Sequence, residues 1–214
     1  FTIKNNIYGA LASALTRTTV VSHVTGLGTA IIHGGFIGLV VKILYRISQA
    51  FSKIVFCQNL DDRQFFLDNN LISQTKLKLI PGSGINLDKY SQASKQSRND
   101  VLKEHPTIFL YAGRIMRDKG LIELVEAMRL INSKEYICEL LIHGFIDNLN
   151  ISSIPESEID SWSKISGVKW CGPSDNIAKI MENVDCVVLP SYREGMPRLL
   201  LEGAAMSLPL IATD

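Results

Sequence analysis

Four charged side chains, grouped in two short segments, are the residues best suited to chemistry on a small polar ligand. Arg114 and Lys119 in the first segment carry cations that would neutralise a diphosphate and stabilise it as a leaving group. Glu194 and Glu202 in the second segment carry carboxylates that accept hydrogen bonds from hydroxyl groups. The two segments together predict one site, with cations for phosphates and carboxylates for the hydroxyls of a sugar and a ribose.

Each segment follows an apolar run that predicts a buried strand, and each leads into a helical pattern. The first strand is Thr107–Ala112 and the second is Cys186–Leu189. Glu202 lies about five residues inside the helix that Pro197 opens, roughly 7–8 Å along its axis. Because Glu194 lies in the loop before that helix, the two acids do not form a dyad that shares a proton and are better placed at two ends of one ligand.

The starts of the two predicted helices add positive charge of their own. A helix that begins after a strand presents free backbone N–H groups, which suit phosphate oxygens. We predict that Asp118 is the N-cap of the first helix and that Pro197 lies in the first turn of the second. Taken singly, each charged residue is better explained as a solvated surface group, and only the combination of the two segments indicates a site.

Strand-like and helical patterns alternate along the chain, which predicts an α/β fold with parallel sheets and ligands at the carboxyl ends of the strands. The predicted strands are Thr18–Val24, Lys53–Cys57, Leu77–Ile80, Thr107–Ala112, Ile137–His143, Val168–Cys171, Asp185–Pro190 and Leu208–Ala212. A polar stretch over Ser91–Asp100 follows Pro81–Gly84. We therefore predict two α/β lobes that meet near residue 88, with a ligand cleft between them.

Composition and charge restrict the partners. The 214 residues include 22 basic and 21 acidic side chains, so no global field attracts nucleic acid, and we expect none as a partner. The four cysteines form no C-x-x-C pair, which predicts reduced thiols in a reducing compartment. The longest apolar stretch, Ala30–Val41, is shorter than the roughly 20 residues that a membrane span needs.

A helix predicted over Phe36–Phe51 has a polar face that is largely basic. Lys42, Arg46, Gln49 and Lys53 follow one another on this face at spacings of three or four residues. The face would suit an anionic membrane surface or a phosphorylated acceptor, although a solvated helix face is the favoured interpretation. We expect the apolar face of this helix to belong to the core rather than to anchor the protein in a membrane.

The motifs, taken in order, resemble the C-terminal lobe of retaining glycosyltransferases of family 4, which have the GT-B fold of two Rossmann-like lobes facing a cleft. The resemblance rests on Gly113-Arg114, Lys119-Gly120, Pro190-Ser191, Glu194-Gly195-x-Pro197, Glu202, Pro209 and Thr213-Asp214. Upstream, Ile80–Asn86 is similar to the glycine-rich hinge between the lobes, and Val24–Gly28 to an acceptor-side loop of enzymes that build bacterial surface polysaccharides. On this resemblance residues 1–88 end the N-lobe, residues 89–214 begin the C-lobe, and the chain is a fragment truncated at both ends.

The resemblance implies a role for each matched residue. Arg114 and Lys119 would hold the diphosphate of the donor. Glu202 would accept hydrogen bonds from the ribose, and Glu194 would contact the transferred sugar. Further groups that would help to seat the sugar and phosphates come from Gly84, Gly195, Met196, Pro197 and Arg198.

Two positions depart from the family pattern. Many relatives have a histidine where this chain has Thr25, and since alternate strand residues share a face, His23 is a candidate polar group at the sugar. A core or capping histidine explains His23 equally well. In the helix after Glu202, Gly203 costs about 1 kcal/mol of helix propensity relative to Ala, and Ser207 replaces a C-terminal glycine.

The implied enzyme moves a hexose or N-acetylhexosamine, with retention, from a nucleotide diphosphate sugar to a lipid-linked or saccharide acceptor in polysaccharide, lipopolysaccharide or capsule synthesis. UDP is the expected nucleotide, and the cytoplasmic face of the membrane is the expected location. No cofactor or metal is expected, since cationic side chains and helix ends do the work of a metal ion, and no ligand cluster occurs among His23, His33, His105 and His143.

Other functions remain open or disfavoured. A sugar-nucleotide epimerase of the same fold, or a homologue that binds nucleotide sugar without turnover, would use the same residues. A dinucleotide-dependent oxidoreductase is disfavoured because the glycine-rich segment Gly26–Ala30 is followed by Ile31 where the third glycine belongs. It also lacks an acidic residue about twenty positions on, over Ser48–Phe51.

Overall fold

The structure is a computed structural model that describes residues 3–27, 31, 34–91, 106–133 and 138–213. The chain divides into two compact units. Unit 1 comprises Phe1–Gly84 and Glu194–Pro197, and unit 2 comprises Ile85–Arg193 and Arg198–Asp214. Several residues named above lie outside the described residues: Gly28, Thr29, Ala30, His33, His105, Ile137, Asp214 and most of Ser91–Asp100.

Unit 1 contains a three-stranded parallel sheet in the order β1-β2-β3. Its elements are α1 (Ile3–Thr16), β1 (Val21–Val24), α2 (Gly35–Gln49), β2 (Ile54–Cys57), α3 (Leu60–Asp68) and β3 (Leu77–Leu79). Buried apolar side chains such as Val24, Val55 and Phe66 form its core. The Asn59 side chain caps α3, because its Oδ1 accepts a hydrogen bond from the Asp62 backbone N–H at 2.6 Å.

Unit 2 contains a five-stranded parallel sheet in the order β6-β5-β4-β7-β8. Its elements are β4 (Thr107–Ala112), a 3-10 turn (Arg117–Lys119), α4 (Leu121–Asn132), β5 (Cys138–His143), α5 (Glu156–Trp162), β6 (Val168–Gly172), α6 (Ile177–Met181), β7 (Cys186–Leu189), α7 (Arg198–Ala205) and β8 (Leu210–Ala212). All four residues of β7 are buried, as the apolar sequence of that strand predicts.

The predicted α/β fold with parallel sheets is confirmed, and each predicted strand is present. The largest differences are at two strand starts, where β1 begins at Val21 rather than Thr18 and β8 at Leu210 rather than Leu208. In both cases the predicted first residue instead closes the preceding helix. The Thr18 N–H donates to the Ser13 carbonyl at 3.1 Å, and the Leu208 N–H donates to the Gly203 carbonyl at 3.0 Å. The four cysteines are free thiols. Within the described part of the chain, no helix is long and apolar enough to cross a membrane.

The prediction that the apolar face of α2 belongs to the core is wrong. Most of its large apolar side chains are exposed, although Val41 packs against the core, and the buried positions of the helix are Gly38, Tyr45, Ser48 and Gln49. The predicted basic face is in turn partly covered, since Gln49 is buried and the Lys42 ammonium donates to Asn69 Oδ1 at 2.9 Å. The reason is that polar side chains of α2 find hydrogen-bond partners inside unit 1, so the polar side can be buried.

Gly203 packs its helix closely against the sheet of unit 2. A Cβ built at this position would lie 2.8 Å from Leu210 Cδ2 and 3.0 Å from Val187 Cγ2. Glycine lowers the helix propensity at this position, but it also allows close packing, because a larger residue would push α7 away from β7 and β8.

The C-terminus of α7 carries a residue in a strained backbone conformation. Ser207 has a φ of 54°, in the left-handed region that glycine adopts at much lower cost. Its N–H donates to the Ala204 carbonyl at 2.9 Å, and the next N–H donates to the Gly203 carbonyl, which together form a Schellman cap. The cap geometry that the family pattern assigns to glycine is thus kept with serine.

We expect Ser207→Gly to stabilise the protein. The change relieves the left-handed strain at the cap, and we expect the free energy of unfolding to rise by about 0.5–1 kcal/mol. Urea denaturation measures this difference. Ser207→Ala is the matched control, since it removes the hydroxyl but keeps the strained Cβ and should give no increase. An equal gain in both variants would show that the hydroxyl, and not the backbone, is the source of the strain.

Candidate active site

Strand order brings the loop with Arg114 and Lys119 next to the first residues after β7, within unit 2. β4 and β7 are parallel neighbours, so the loops that follow them leave from the same edge of the sheet. Gly120 has a φ of 66° and lies so close to Pro190 that a Cβ would collide with the Pro190 carbonyl oxygen. The Tyr192 N–H donates to the Asp118 carbonyl at 3.1 Å. The segment with Arg114 and Lys119 therefore touches the start of the segment that continues to Glu194.

A side-chain contact ties the same two segments a second time. The exposed Tyr192 hydroxyl donates to Glu123 Oε1, in the first turn of α4, at 2.7 Å. This hydrogen bond and the charge of Glu123 raise the pKa of Tyr192. The sequence analysis did not predict a role for Tyr192 or Glu123. The two residues are far apart in the chain, and they come into contact only because β4 and β7 are adjacent in the sheet.

The two predicted cations lie on the loop between β4 and α4. Arg114 is exposed, and its guanidinium is 3.9 Å from Asp147 Oδ2, a half-exposed partner in the loop after β5. The backbone carbonyl of Arg114 accepts a hydrogen bond from the Tyr111 hydroxyl at 2.9 Å, which fixes the path of the loop. Lys119 is half-buried in the 3-10 turn just before α4.

The prediction that Asp118 caps α4 is wrong. A 3-10 turn over Arg117–Lys119 precedes the helix, and Gly120, in a left-handed conformation, occupies the N-cap position. Asp118 instead accepts a hydrogen bond from the Ser152 hydroxyl, while the Asp118 backbone N–H donates to the Ser152 Oγ at 3.3 Å. Ser152, in the loop after β5, thus braces the loop that carries the cations.

Glu202 is a buried acid rather than the surface helix residue that composition allowed. Only 8% of the residue is exposed, and its Oε1 accepts a hydrogen bond from the Arg198 guanidinium at 3.2 Å. The buried Tyr90 hydroxyl is hydrogen-bonded to the same carboxylate, and burial together with the charge of Glu202 raises the pKa of Tyr90. A carboxylate held in this way has a defined orientation. Tyr90 was not predicted from the sequence.

The segment with Glu194 belongs to unit 1, where the ends of two strands hold it. The Asn59 side chain donates to the backbone carbonyls of Glu194 and Gly195 at 3.0 and 3.1 Å. A Cβ at Gly195 would collide with the Thr25 carbonyl and lie 2.8 Å from Gln58 Oε1, so only glycine fits. Gln58 and Asn59 were not predicted, although two amides directly after the apolar strand β2 are a signal that could have found them.

His23 lies in β1 of unit 1, next to Phe56, with the two rings edge to face and 6.5 Å between their centroids. Burial lowers the pKa of His23, so its imidazole is neutral at neutral pH and offers hydrogen bonds rather than positive charge. The His23 backbone carbonyl accepts a hydrogen bond from the Asn6 side chain at 3.0 Å.

The other predicted residues divide between the units. Gly84, with a φ of 70°, ends the first part of unit 1, and Met196 and Pro197 belong to the short segment of the same unit. Arg198 is the first residue of α7 in unit 2, so Pro197 directly precedes the helix as predicted. Among the residues that the structure describes, no group of three or more His, Cys, Asp or Glu side chains is arranged to hold a metal ion.

The arrangement in unit 2 matches a known family. The family model described as "Glycosyl transferases group 1" matches residues 106–214, which is half of the chain and includes both loops at the edge of the five-stranded sheet. The chain belongs to this family. The five strands of unit 2, the cation loop and α7 all lie within the matched range.

Curated relatives and a solved structure resemble nearly the whole chain. The N,N'-diacetylbacillosaminyl-diphospho-undecaprenol alpha-1,3-N-acetylgalactosaminyltransferase of Campylobacter jejuni is 26% identical over 99% of this chain and 57% of its own length. The capsular polysaccharide biosynthesis glycosyltransferase CapM of Staphylococcus aureus is 24% identical over 100% of this chain and 57% of its own. The chain thus spans just over half the length of these relatives.

The solved structure of Anabaena Alr3699/HepE in complex with UDP-glucose has a TM-score of 0.76 and 18% identity, and it covers 99% of this chain and 57% of that one. At this identity the likeness establishes the fold. The predicted GT-B class of parallel-sheet fold is confirmed, and so is the predicted family.

We expect Gly120→Ala to separate the two loops of unit 2. Alanine at position 120 would have to adopt the left-handed backbone conformation, and its Cβ would collide with the Pro190 carbonyl. Together these effects should lower the free energy of unfolding by more than about 2 kcal/mol. Gly172→Ala is the matched control, because Gly172 also has a positive φ, of 70°, but a Cβ there meets nothing within 4 Å. We expect this control to lose about 1 kcal/mol, and chemical denaturation of both variants measures the difference. Equal losses would mean that the Gly120–Pro190 contact is not tight.

Proposed function

We propose that this protein transfers a hexose or N-acetylhexosamine from a nucleotide diphosphate sugar to a lipid-linked or saccharide acceptor, with retention of configuration. The observation that carries the proposal is the contact between the cation loop and the loop after β7, at the carboxyl ends of two adjacent parallel strands. Ligands of parallel α/β sheets bind at this edge. Family membership supports the transferase chemistry.

The donor in this proposal is a UDP-sugar. Arg114 and Lys119 bind the diphosphate. They stabilise the negative charge that develops on it in the transition state, as the bond to the sugar breaks. The start of α7 adds free N–H groups that suit the same phosphates. Glu202 accepts hydrogen bonds from the ribose hydroxyls, with Arg198 and Tyr90 holding the carboxylate in place. The UDP-glucose complex of the HepE protein supports this choice of nucleotide.

Glu194 is the proposed contact to the transferred sugar. Asn59 and Gly195 define the backbone around it, so its position depends on the ends of β1 and β2. His23, neutral at neutral pH, is a further hydrogen-bonding group for the sugar or the acceptor. Since the positive charge for the phosphates comes from side chains and helix N-termini, we propose catalysis without a metal ion.

The proposed acceptor is a glycan on a polyprenyl diphosphate, and the proposed location is the cytoplasmic face of a bacterial membrane. The Campylobacter relative is named for an undecaprenyl diphosphate-linked acceptor, and the Staphylococcus relative for capsular polysaccharide biosynthesis. These names support synthesis of a surface polysaccharide as the proposed process.

Nucleotide binding tests the two halves of the proposed donor site separately. We expect Lys119→Ala to weaken UDP binding about 10- to 100-fold and to leave uridine binding unchanged, because charge-assisted hydrogen bonds to phosphate are lost. Glu202→Gln should instead weaken UDP and uridine alike, and should not affect a UDP analogue that lacks the ribose hydroxyls. Isothermal titration calorimetry measures each affinity. Lys164→Ala, an exposed lysine of the same unit, is the control, and a similar loss in this variant would point to a general charge effect.

Sugar transfer tests the role of Glu194. We expect Glu194→Gln to lower the transfer rate by roughly 10²-fold or more while UDP binding is kept, because the group acts on the sugar rather than on the nucleotide. The exposed acid Glu156 provides the control variant Glu156→Gln. Product analysis with a polyprenyl diphosphate glycan separates the alternatives. A glycosylated acceptor supports the proposal, whereas free UDP with free sugar indicates an epimerase, and UDP binding without any product indicates a binding protein.

A further inference from the structure

Two consecutive amide side chains, Gln58 and Asn59, follow β2 in unit 1. Gln58 is buried, with 6% of the residue exposed, and its Nε2 donates to the Ser83 hydroxyl at 3.3 Å. Asn59 precedes α3 and contacts the backbone of residues 194–197, here called the Glu194 segment. A buried amide costs free energy unless it is hydrogen-bonded, so packing alone does not explain Gln58. The pair therefore points to a polar function at this edge of the sheet.

The orientation of the Asn59 side chain is fixed, because its two ends have different partners. Oδ1 accepts a hydrogen bond from the Asp62 backbone N–H at 2.6 Å. An amide nitrogen cannot accept that bond, so the Asn59 amide cannot turn over. Nδ2 is thereby directed to the Glu194 and Gly195 carbonyls. Only asparagine combines a helix-capping acceptor with two donors on so short a side chain.

The Glu194 segment is enclosed by groups at the ends of β1 and β2. A Cβ at Gly195 would lie 2.4 Å from the Thr25 carbonyl oxygen and 2.8 Å from Gln58 Oε1. The Asn59 amide holds the two carbonyls of the segment from another direction. These contacts fix the path of the backbone at Glu194, and they do not involve its carboxylate. We call this enclosure the Gly195 socket.

The groups proposed for the nucleotide and for the sugar belong to different units. Arg114, Lys119 and Glu202, the proposed nucleotide contacts, are part of unit 2. Glu194, the proposed sugar contact, is part of unit 1, where Asn59 holds its backbone. A change at Asn59 should therefore disturb the group for the sugar and leave the groups for the nucleotide in place.

We propose that Asn59 is a positioning residue for sugar transfer that acts through Glu194, and that Gln58 completes the same socket. Asn59 acts on the backbone rather than on the sugar. It keeps the Glu194 carboxylate where the sugar reacts, and a displacement of about 1 Å in such a group can cost roughly 100-fold in rate. The inference rests on the proposed function in one respect, which is the role of Glu194 at the sugar.

Two variants of Asn59 test the proposal. Asn59→Asp and Asn59→Ser both keep an oxygen that can cap α3, but neither has the amide nitrogen that donates to the Glu194 segment. We expect kcat for sugar transfer to fall about 10- to 100-fold in each, while KM for the donor and UDP affinity change by less than about twofold. Steady-state kinetics and isothermal titration calorimetry measure these quantities. A rise in KM with unchanged kcat would overturn the proposal.

Asn132 provides the matched control, because its side chain makes the same kinds of hydrogen bond. Its Oδ1 accepts from the Cys138 N–H at 3.2 Å, and its Nδ2 donates to the Cys138 and Ser166 carbonyls at 3.3 and 2.6 Å. These carbonyls lie at the amino-terminal ends of β5 and β6, at the opposite edge of the sheet from the candidate site. We expect Asn132→Asp to lower thermal stability and to leave kcat unchanged. An equal loss of kcat in this variant would overturn the proposal, since general destabilisation would then explain both.

A double-mutant cycle shows whether Asn59 acts through Glu194. In protein that already carries Glu194→Gln, adding Asn59→Asp should lower kcat by less than about twofold, because the group that Asn59 positions is already lost. Losses that multiply would contradict the proposal, because Asn59 would then act independently of Glu194.

Hydrogen exchange separates this inference from the proposed function. We expect the peptide that spans residues 193–199 to exchange faster in both Asn59 variants, but not in Asn132→Asp, whether or not sugar is transferred. If Glu194→Gln lowers transfer but neither Asn59 variant changes exchange or kcat, the proposed function stands and this inference fails. If exchange rises but Glu194→Gln leaves transfer unchanged, the role proposed for Glu194 fails, and this inference fails with it.

Discussion

The contact between the Gly120 backbone and the Pro190 carbonyl is the constraint on which the site in unit 2 depends. It exists because β4 and β7 are parallel neighbours and because residue 120 has no side chain and accepts a left-handed conformation. Through this contact the loop with Arg114 and Lys119 is held against the loop that leads to Glu194. The hydrogen bonds of Tyr192 and Ser152 then fix the direction of both loops. A glycine and a strand order thus decide where the charges lie.

The same physical arrangement occurs in unit 1 with different residues. Asn59 serves twice, since its Oδ1 caps α3 and its Nδ2 donates to the backbone around Glu194. Gly195 fits against the Thr25 carbonyl only because it lacks a Cβ. In both units the candidate segments are positioned by backbone contacts at the carboxyl ends of parallel strands. A fold can be kept while most side chains differ, as the 18% identity to the HepE structure at a TM-score of 0.76 illustrates.

Helix α2 shows how hydrogen bonding can reverse an expectation based on hydrophobicity. Burial of apolar area usually decides which side of a helix faces the core. Here Ser48 and Gln49 are buried beside the core residue Tyr45, and the Gln49 amide has hydrogen-bond partners in Asn6 and Ser52. The apolar side is left exposed beside Arg46. The outcome is a surface of unit 1 with both hydrophobic and basic character.

The sequence by itself determined the alternation of strands and helices, the parallel α/β class, the family, and the two segments with Arg114, Lys119, Glu194 and Glu202. These follow from local periodicity and from residue spacing, which are properties of neighbouring positions in the chain. Tertiary structure alone decided that Gly120 rather than Asp118 begins α4, that Tyr90 and Arg198 hold Glu202, and that Asn59 holds the Glu194 segment. It also decided which side of α2 is buried. Such contacts join residues far apart in the chain, and they depend on strand order and on the satisfaction of buried polar groups, neither of which leaves a periodic signal.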